Sequence, residues 1–210
     1  MPIRRGALSF ARFRLDGSVP KDTRKWLSKA LEARAFEGID PKGDDDRASG
    51  FVSLERPEVA EFPAGELFRG MHALFAWRVE KLRIPGQLIR AQLSEWSQAF
   101  EQKNGRAPGR REKTEQKDVI RRVLRSKTEP GVKVFDVSLD LAAKELAVWA
   151  TSRSVVDEVT EALASSLDVK LIPKVPASLI DADTLDRLAP TTELFGDELA
   201  TPKQRKDEVP

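Results

Sequence analysis

The spacing of apolar residues alternates along this chain between two periods, and this feature limits the folds that it can adopt. Residues 8–15 and 132–141 place apolar side chains at roughly every second position, which is typical of half-buried strands. Residues 20–36, 86–103 and 110–126 repeat them every three or four positions, which predicts amphipathic helices. Read over the whole chain, these patterns predict the order β-α-β-β-β-α-α-β-β-α-β. The sequence therefore predicts an α+β fold with mainly antiparallel sheets.

The two longest predicted helices follow one another and divide the predicted strands into two groups. We expect an N-terminal α+β lobe over residues 1–84, a helical connector with a basic helix over 85–130 and a C-terminal ββαβ lobe over 131–177. The remaining residues, 178–210, are rich in proline and acidic side chains and contain few apolar ones. That composition favours a disordered acidic tail.

Signals for export or membrane insertion are not recognisable in the sequence. No stretch approaches the roughly 20 apolar residues that a membrane-spanning helix needs. The basic N-terminus has Arg12 and Arg14 where a signal peptide needs its apolar core. The chain contains no cysteine, which excludes disulfides and Cys-ligated zinc. We therefore expect a cytoplasmic protein without a membrane partner.

Charge is unevenly distributed along the chain, although the formal net charge is only +2. The window from Lys103 to Lys133 contains eleven Lys and Arg but four Asp and Glu, which gives it a local charge of +7. From Ala177 to Ala200 the balance reverses, with six acidic residues and one arginine. Such segregation is typical of proteins with a polyanion-binding face, although a charge run also fits a solvated helix surface.

The predicted helix over 110–126 separates its cations from its apolar side chains. At about 100° per residue, the cations from Arg110 to Arg125 form one stripe. We expect the apolar residues on the other side (Val119, Ile120, Val123 and Leu124) to pack on a sheet. A row of cations held in this way can follow a phosphate backbone, because neutralising phosphates releases counterions. The predicted DNA-binding residues are Arg106, Arg110, Arg111, Lys113, Lys117, Arg121, Arg122, Arg125, Lys127 and Lys133.

Motifs for catalysis are not recognisable. The single histidine, His72, lies in a strand pattern without a Ser-Asp partner signature, and neither a Gly-rich phosphate loop nor a His-Glu-x-x-His helix occurs. The acidic run from Asp44 to Asp46 lacks the glycine spacing and terminal glutamate of a calcium loop. We expect no enzyme, metal, cofactor or small-molecule substrate. Carboxylates distant in the sequence can still meet in the fold, so an enzyme stays the third option.

The ordered series of segments resembles one known family. It begins with Phe10-Ala-Arg-Phe-Arg-Leu15 and the helix containing Trp26, and it is densest from Lys81-Leu-Arg-Ile-Pro85 to Lys113-Thr-Glu-Gln-Lys-Asp118. It continues to Leu171-Ile-Pro-Lys-Val-Pro176, so that it covers roughly residues 7–178. In this series the chain is similar to the bacterial recombination-associated protein RdgC family.

The resemblance implies a non-enzymatic protein that binds double-stranded DNA with little sequence preference. It also implies a dimeric ring whose basic inner surface encloses the duplex, and a role in limiting recombination promoted by RecA. Such a protein is expected to be associated with the nucleoid.

Two departures from the family pattern leave the assembly open. Family members continue into a further C-terminal region, and the segment from Arg125 to Pro130 lacks the aromatic residues that the family places near a dimer contact. Glu129 stands where a phenylalanine is expected. A closed ring, an open clamp, a different dimer and a monomer all remain compatible with the sequence.

A second class of function also fits the basic helix. It can dock an acidic protein partner, in which case the chain is a protein-interaction module that has lost DNA binding. The acidic tail over 178–210 can also fold back on the basic face as an autoinhibitory mimic of DNA.

Overall fold

The computed structural model describes residues 9–40 and 43–175, together with residues 180 and 184. These residues form seven strands and five helices. In chain order they are β1 (Ala11–Asp16), α1 (Thr23–Glu32), β2 (Arg47–Ser53), α2 (Ala64–Leu67), β3 (Phe68–Arg69), β4 (His72–Lys81), α3 (Gly86–Asn104), α4 (Arg110–Lys127), β5 (Gly131–Asp140), β6 (Glu145–Val148), α5 (Arg153–Leu167) and β7 (Lys170–Pro173). The predicted α+β class is confirmed, and the order matches apart from the additional short helix α2.

All seven strands belong to one sheet, with the order β2-β4-β5-β6-β1-β7 and with β3 paired to β4. Every pairing between these strands is antiparallel, as predicted. The longest ladder joins β4 to β5, from His72 opposite Asp140 to Lys81 opposite Gly131. The two groups of strands that we expected in separate lobes are therefore continuous, because the α3–α4 hairpin returns the chain beside β4. The domain boundaries themselves stay a prediction, and the tail lies outside the described residues except for 180 and 184.

The main core lies between one face of the sheet and the helices α1 and α5. Leu27 and Leu31 of α1 are fully buried, as is Val159 of α5. They pack on inward-facing strand residues such as Phe51 and Phe75, whose rings meet edge to face at 5.6 Å. Burying each such side chain contributes about 1.5–3 kcal/mol. The core therefore follows from the alternation of the strands and the apolar faces of two helices.

Helix α1 differs from its predicted boundaries, and strand β2 begins in a polar segment, each for an identifiable reason. Helix α1 begins at Thr23, not near residue 20, because the Asp22 carboxylate accepts a hydrogen bond from the amide of Lys25 and caps it. Strand β2 begins at Arg47 although its first half is polar, because it pairs with the far end of β4 at Lys81. Gly50 lies so close to the backbone of Phe36 that an added Cβ would stand 2.5 Å from its Cα.

The four-residue helix α2 ends at Leu67, directly before the short strand β3. Only Phe68 and Arg69 are extended, and they form the first half of a tight hairpin with β4. Gly70 turns this hairpin with a φ of 64°, a conformation that favours glycine. Two strands therefore meet at Gly70, and the first of them is only two residues long.

Candidate nucleic-acid interface

The helical hairpin formed by α3 and α4 carries most of the predicted DNA-binding residues. None of the residues of α3, all of which the structure describes, is buried. The helix α4 packs along α3, and its buried apolar side chains are Ile120 and Leu124. Both helices therefore expose most of their circumference.

The orientation of α4 differs from the prediction. Ile120 and Leu124 are buried as expected, but Val119 and Val123 are 45% and 44% exposed. The prediction that all four apolar residues pack on a sheet was therefore wrong for the two valines, and the element against which α4 mainly packs is the helix α3. The reason is geometric: residues 120 and 124 lie 100° further around the helix than 119 and 123, and α4 packs mainly on α3, which leaves room for one apolar ridge only.

Three cations of the N-terminal half of α4 lie along one side of the hairpin. Arg110, Lys113 and Lys117 are exposed, and together with Leu93 of α3 they line a shallow groove. They lie at spacings of three and four residues, so that their side chains share one face of the helix. None of the three forms an ion pair with a residue in the part of the chain that the structure describes.

Three further predicted residues are exposed and have no ion pair within the described ranges. Arg122 lies on another face of α4, Lys127 lies in its last turn and Lys133 lies near the start of β5. Six of the ten predicted residues are therefore exposed and form no ion pair with a described residue: Arg110, Lys113, Lys117, Arg122, Lys127 and Lys133. Their charge is available to an external anion.

The C-terminal half of α4 is fixed to the loop before β2 through Asp46. Arg121 donates from Nη2 to Oδ2 of Asp46 at 2.8 Å, and Arg125 donates from Nη1 to Oδ1 of the same carboxylate. Arg125 Nη2 also donates to the carbonyl oxygen of Asp45 at 2.5 Å. The Arg125 side chain is only 9% exposed, whereas that of Arg121 is 58% exposed. Arg125 therefore stabilises the fold, and its geometry does not match the predicted phosphate contact.

Asp46 is a residue that the sequence reasoning missed. The run Asp44–Asp46 was considered only as a cation site, and its role as an acceptor for two arginines was not recognised. The partners lie 75 and 79 residues away along the chain. The sequence does contain an acidic run and a basic run of complementary charge. It does not indicate which acidic side chain pairs with which arginine.

The turn of the hairpin is held by Arg106 and Glu112. The two side chains form a bidentate ion pair, with Nη2 to Oε1 at 2.7 Å and Nη1 to Oε2 at 2.9 Å. Glu112 also accepts the amide of Gly109 at 2.7 Å, and the Arg106 guanidinium lies 5.1 Å from the ring centre of Phe100. The hydrogen bond from Arg106, followed by that from Gly109, lowers the pKa of Glu112 to about 2. Arg106 is thus part of the turn, although its side chain is 59% exposed.

Arg111 forms an ion pair with Glu115 one turn later, at 2.8 Å. Both side chains are open to solvent, with exposures of 92% and 62%. Exposed pairs of this kind stabilise a helix by about 0.3–0.5 kcal/mol. Such a pair is weak enough for Arg111 to exchange its partner for a phosphate.

Other chemistry is sparse in the described residues. They contain no group of three or more His, Cys, Asp or Glu side chains that could hold a metal ion. His72 Nδ1 lies 3.7 Å from Asp140 Oδ2, at the end of the β4–β5 ladder. The amide of Ala143 is the main cause that lowers the pKa of Asp140, so this carboxylate chiefly organises the turn after β5. No helix in the described ranges is long and apolar enough to cross a membrane.

Comparison with known proteins identifies the family. A family model described as "Putative exonuclease, RdgC" matches residues 9–187, a range that contains every strand and helix described above. The chain belongs to the RdgC family. Membership confirms the resemblance and places the chain among recombination-associated proteins. A comparison with curated proteins found no match. The word exonuclease belongs to the description of the RdgC model, and it contrasts with our expectation of a non-enzymatic protein.

Proposed function

We propose that this RdgC-family chain binds double-stranded DNA through its phosphates, without sequence preference and without cleaving it. In this proposal it acts in recombination or replication at the nucleoid of the cytoplasm and limits the access of RecA to the duplex. The observation that carries the proposal is the set of exposed cations without ion pairs on and beside α4.

The spacing of these cations suits a duplex. From Arg110 to Lys117 the helix rises about 10 Å, and a B-form duplex carries about six phosphate charges over that length of its axis. Lysine and arginine side chains are long enough to reach neighbouring phosphates from one helix face. Phosphate contacts carry no information about the bases, which is the reason for expecting little sequence preference.

The four remaining predicted residues have different parts in the proposal. Arg111 and Arg121 are exposed and add charge to the same surface, although each has a carboxylate partner. Arg106 holds the turn of the hairpin, and Arg125 holds α4 on the loop before β2. Phosphate contacts are therefore assigned first to the unpaired cations and only then to the paired ones.

The test is a titration of labelled 30-base-pair duplexes of two unrelated sequences. A variant with Arg110, Lys113 and Lys117 changed to alanine is compared with the native chain. The matched control changes Lys21, Lys25 and Lys29, which are exposed and form no ion pair in the described residues. We expect the native chain and the control to bind both duplexes alike, and the α4 variant to bind both at least tenfold more weakly. Equal binding by the two variants would refute the assignment.

Cleavage is tested in the same samples. Linear duplex is incubated with excess protein and Mg²⁺ or Mn²⁺, and the products are separated by length. We expect the duplex to stay intact. Shortening of the strands by the native chain would show that the exonuclease of the family description applies here.

A protein-interaction module remains the second candidate, because of Val119 and Val123. These valines lie one turn apart on the basic helix and are almost half exposed. DNA phosphates offer no apolar contact, whereas an acidic protein partner can cover valines and neutralise cations together. If a homodimer buries the same two valines, they are not accessible to another protein partner. Light scattering of the native chain and of Val119→Asp distinguishes these arrangements: a change in mass identifies the ridge as a dimer contact.

A further inference from the structure

A second surface rich in arginine and aromatic side chains lies on the sheet, apart from α4. Alternate residues of β1 and β6, including Phe13 and Val148, point into the main core towards α1 and α5. Arg12 and Arg14 therefore point to the opposite face, where Arg12 lies opposite Ala147 of β6. Both arginines are exposed and form no ion pair with any residue in the described ranges.

An aromatic pair stands at one end of this face. Phe10 precedes β1 in the chain and is 40% exposed, and its ring centre lies 4.6 Å from that of Trp149. Trp149 is fixed from below, because its indole Nε1 donates to the hydroxyl of Ser138 on β5 at 3.2 Å. Phe10 is therefore an outward-facing ring that rests on an immobilised indole.

Two acidic side chains lie on the β1 and β6 part of this face: Asp16, two residues after Arg14, and Glu145. Glu145 lies opposite Arg14 in the register of β1 and β6, and its carboxylate forms an ion pair with Lys174. Neither carboxylate forms an ion pair with Arg12 or Arg14 in the described residues. Arg12 and Arg14 are two residues apart on one strand face, which places them about 7 Å from each other.

We propose that Phe10, Trp149, Arg12 and Arg14 form a binding site for single-stranded nucleic acid. An exposed aromatic ring can stack on an unpaired base, whereas the bases of a duplex are already stacked on each other. The two arginines neutralise the phosphates that follow the stacked base. The ligand is thus of a different form from the duplex proposed for α4, and the site uses none of the same side chains.

The choice between a nucleic acid and a protein partner follows from the combination of features. The aromatic surface is small, and it continues directly into unpaired positive charge. Stacking on every base and charge neutralisation along the backbone are the two interactions that sequence-tolerant single-strand binding uses. Neither interaction reads the 2′-hydroxyl, so DNA and RNA are both possible sources of this ligand.

The test measures binding of labelled oligonucleotides of about 15 nucleotides, a length within the range of known single-strand sites. The ligands are oligo(dT), oligo(rU) and an abasic DNA of the same length, which keeps the phosphates and lacks the bases. We expect the native chain to bind oligo(dT) or oligo(rU) roughly tenfold more tightly than the abasic strand. Phe10→Ala should remove this preference, and Arg12→Ala with Arg14→Ala should weaken all three ligands.

Two controls separate this site from α4 and from unfolding. Met71→Ala removes another exposed apolar side chain (56% exposed) from the β3–β4 turn and should leave the preference unchanged. The Arg110, Lys113 and Lys117 variant should lose duplex binding but keep the Phe10-dependent preference. The ratio of the affinities for oligo(dT) and oligo(rU) shows whether DNA or RNA is the favoured ligand.

The proposal is overturned if the native chain binds no single strand, or if it binds the abasic strand as tightly as oligo(dT). It is also overturned if Phe10→Ala binds like the native chain while the α4 variant loses the single strand, since the cations of α4 would then account for all binding. If the native chain binds the single strand but not the duplex, the proposed function is refuted and this site is still supported.

Discussion

Arg125 and Asp46 form an ion pair that attaches α4 to the loop before β2, and the arginine side chain is only 9% exposed. The same carboxylate accepts a hydrogen bond from Arg121, whose side chain is 58% exposed. Asp46 thus binds two arginines that lie one turn apart in α4, one of them nearly buried and the other exposed. This difference decides which of the two cations is accessible to an external anion.

Arg125→Ala is expected to lower the free energy of unfolding by about 2–3 kcal/mol, because it removes a largely buried guanidinium with several acceptors. Arg121→Ala removes an exposed partner of the same carboxylate and should cost less than about 1 kcal/mol. Urea denaturation of both variants measures the difference. Equal losses of unfolding free energy in the two variants would show that the burial of the Arg125 side chain does not contribute to stability.

The turn between α3 and α4 should report on pH through Glu112. Its pKa in the folded chain is about 2, below the ordinary value of 4.5, because Arg106 and the amide of Gly109 donate to the carboxylate. Its contribution to stability is therefore present above pH 4.5 and is lost as the pH falls towards 2. Carboxyl NMR titration of Arg106→Ala should show a raised pKa. Arg111→Ala, whose partner is Glu115, should leave Glu112 unchanged, and a shift there would contradict the assignment.

The orientation of α4 predicts that substitutions at two adjacent residues change the free energy of unfolding by very different amounts. Ile120→Ala should destabilise the chain by about 2–4 kcal/mol, because Ile120 is 6% exposed and its removal leaves a cavity. Val119→Ala should change stability by less than about 0.5 kcal/mol, because Val119 is 45% exposed. Thermal or urea unfolding distinguishes the two, and similar losses for both variants would contradict the observed orientation of α4.

Gly50 should tolerate no side chain. The added Cβ of Gly50→Ala would stand 2.5 Å from the Cα of Phe36 and 2.6 Å from its nitrogen, both backbone atoms that cannot move alone. We expect a loss of about 2 kcal/mol or more, in line with overpacking. Gly38→Ala is the control, since nothing lies within 4 Å of its added Cβ. Similar stability of the two variants would contradict this close approach.

Much of the local structure could be predicted from the sequence where proline or glycine marks the end of an element. Pro85 precedes α3 and Gly105 ends it with a φ of 65°, so the observed bounds differ little from the predicted ones. The strand β5 was recognisable because its apolar residues alternate from Val132 onwards. The short helix α2 was missed because four residues are too few to display a helical period.

Relationships between distant segments could not be predicted. The alternation within β4 and β5 indicates two strands with a buried face, but it does not indicate that each is the partner of the other. The same holds for Asp46, whose arginine partners follow it by 75 and 79 residues. The exposure of Val119 was also inaccessible, because the pattern around α4 contains two apolar ridges and only packing on α3 selects one. The sequence could therefore place the predicted site residues on one helix and its flanks, whereas their division into unpaired, paired and buried cations required the structure.

The salt dependence of duplex binding tests the central claim most directly. Each phosphate contact contributes about 0.9 to the slope of log K against log salt concentration. The Arg110, Lys113 and Lys117 variant should therefore show a slope smaller by about 2.7 than that of the native chain, with the same loss on unrelated sequences. The Lys21, Lys25 and Lys29 variant should keep the native slope. Equal slopes for the native chain and the α4 variant would contradict the claim that these exposed cations bind the phosphates of DNA.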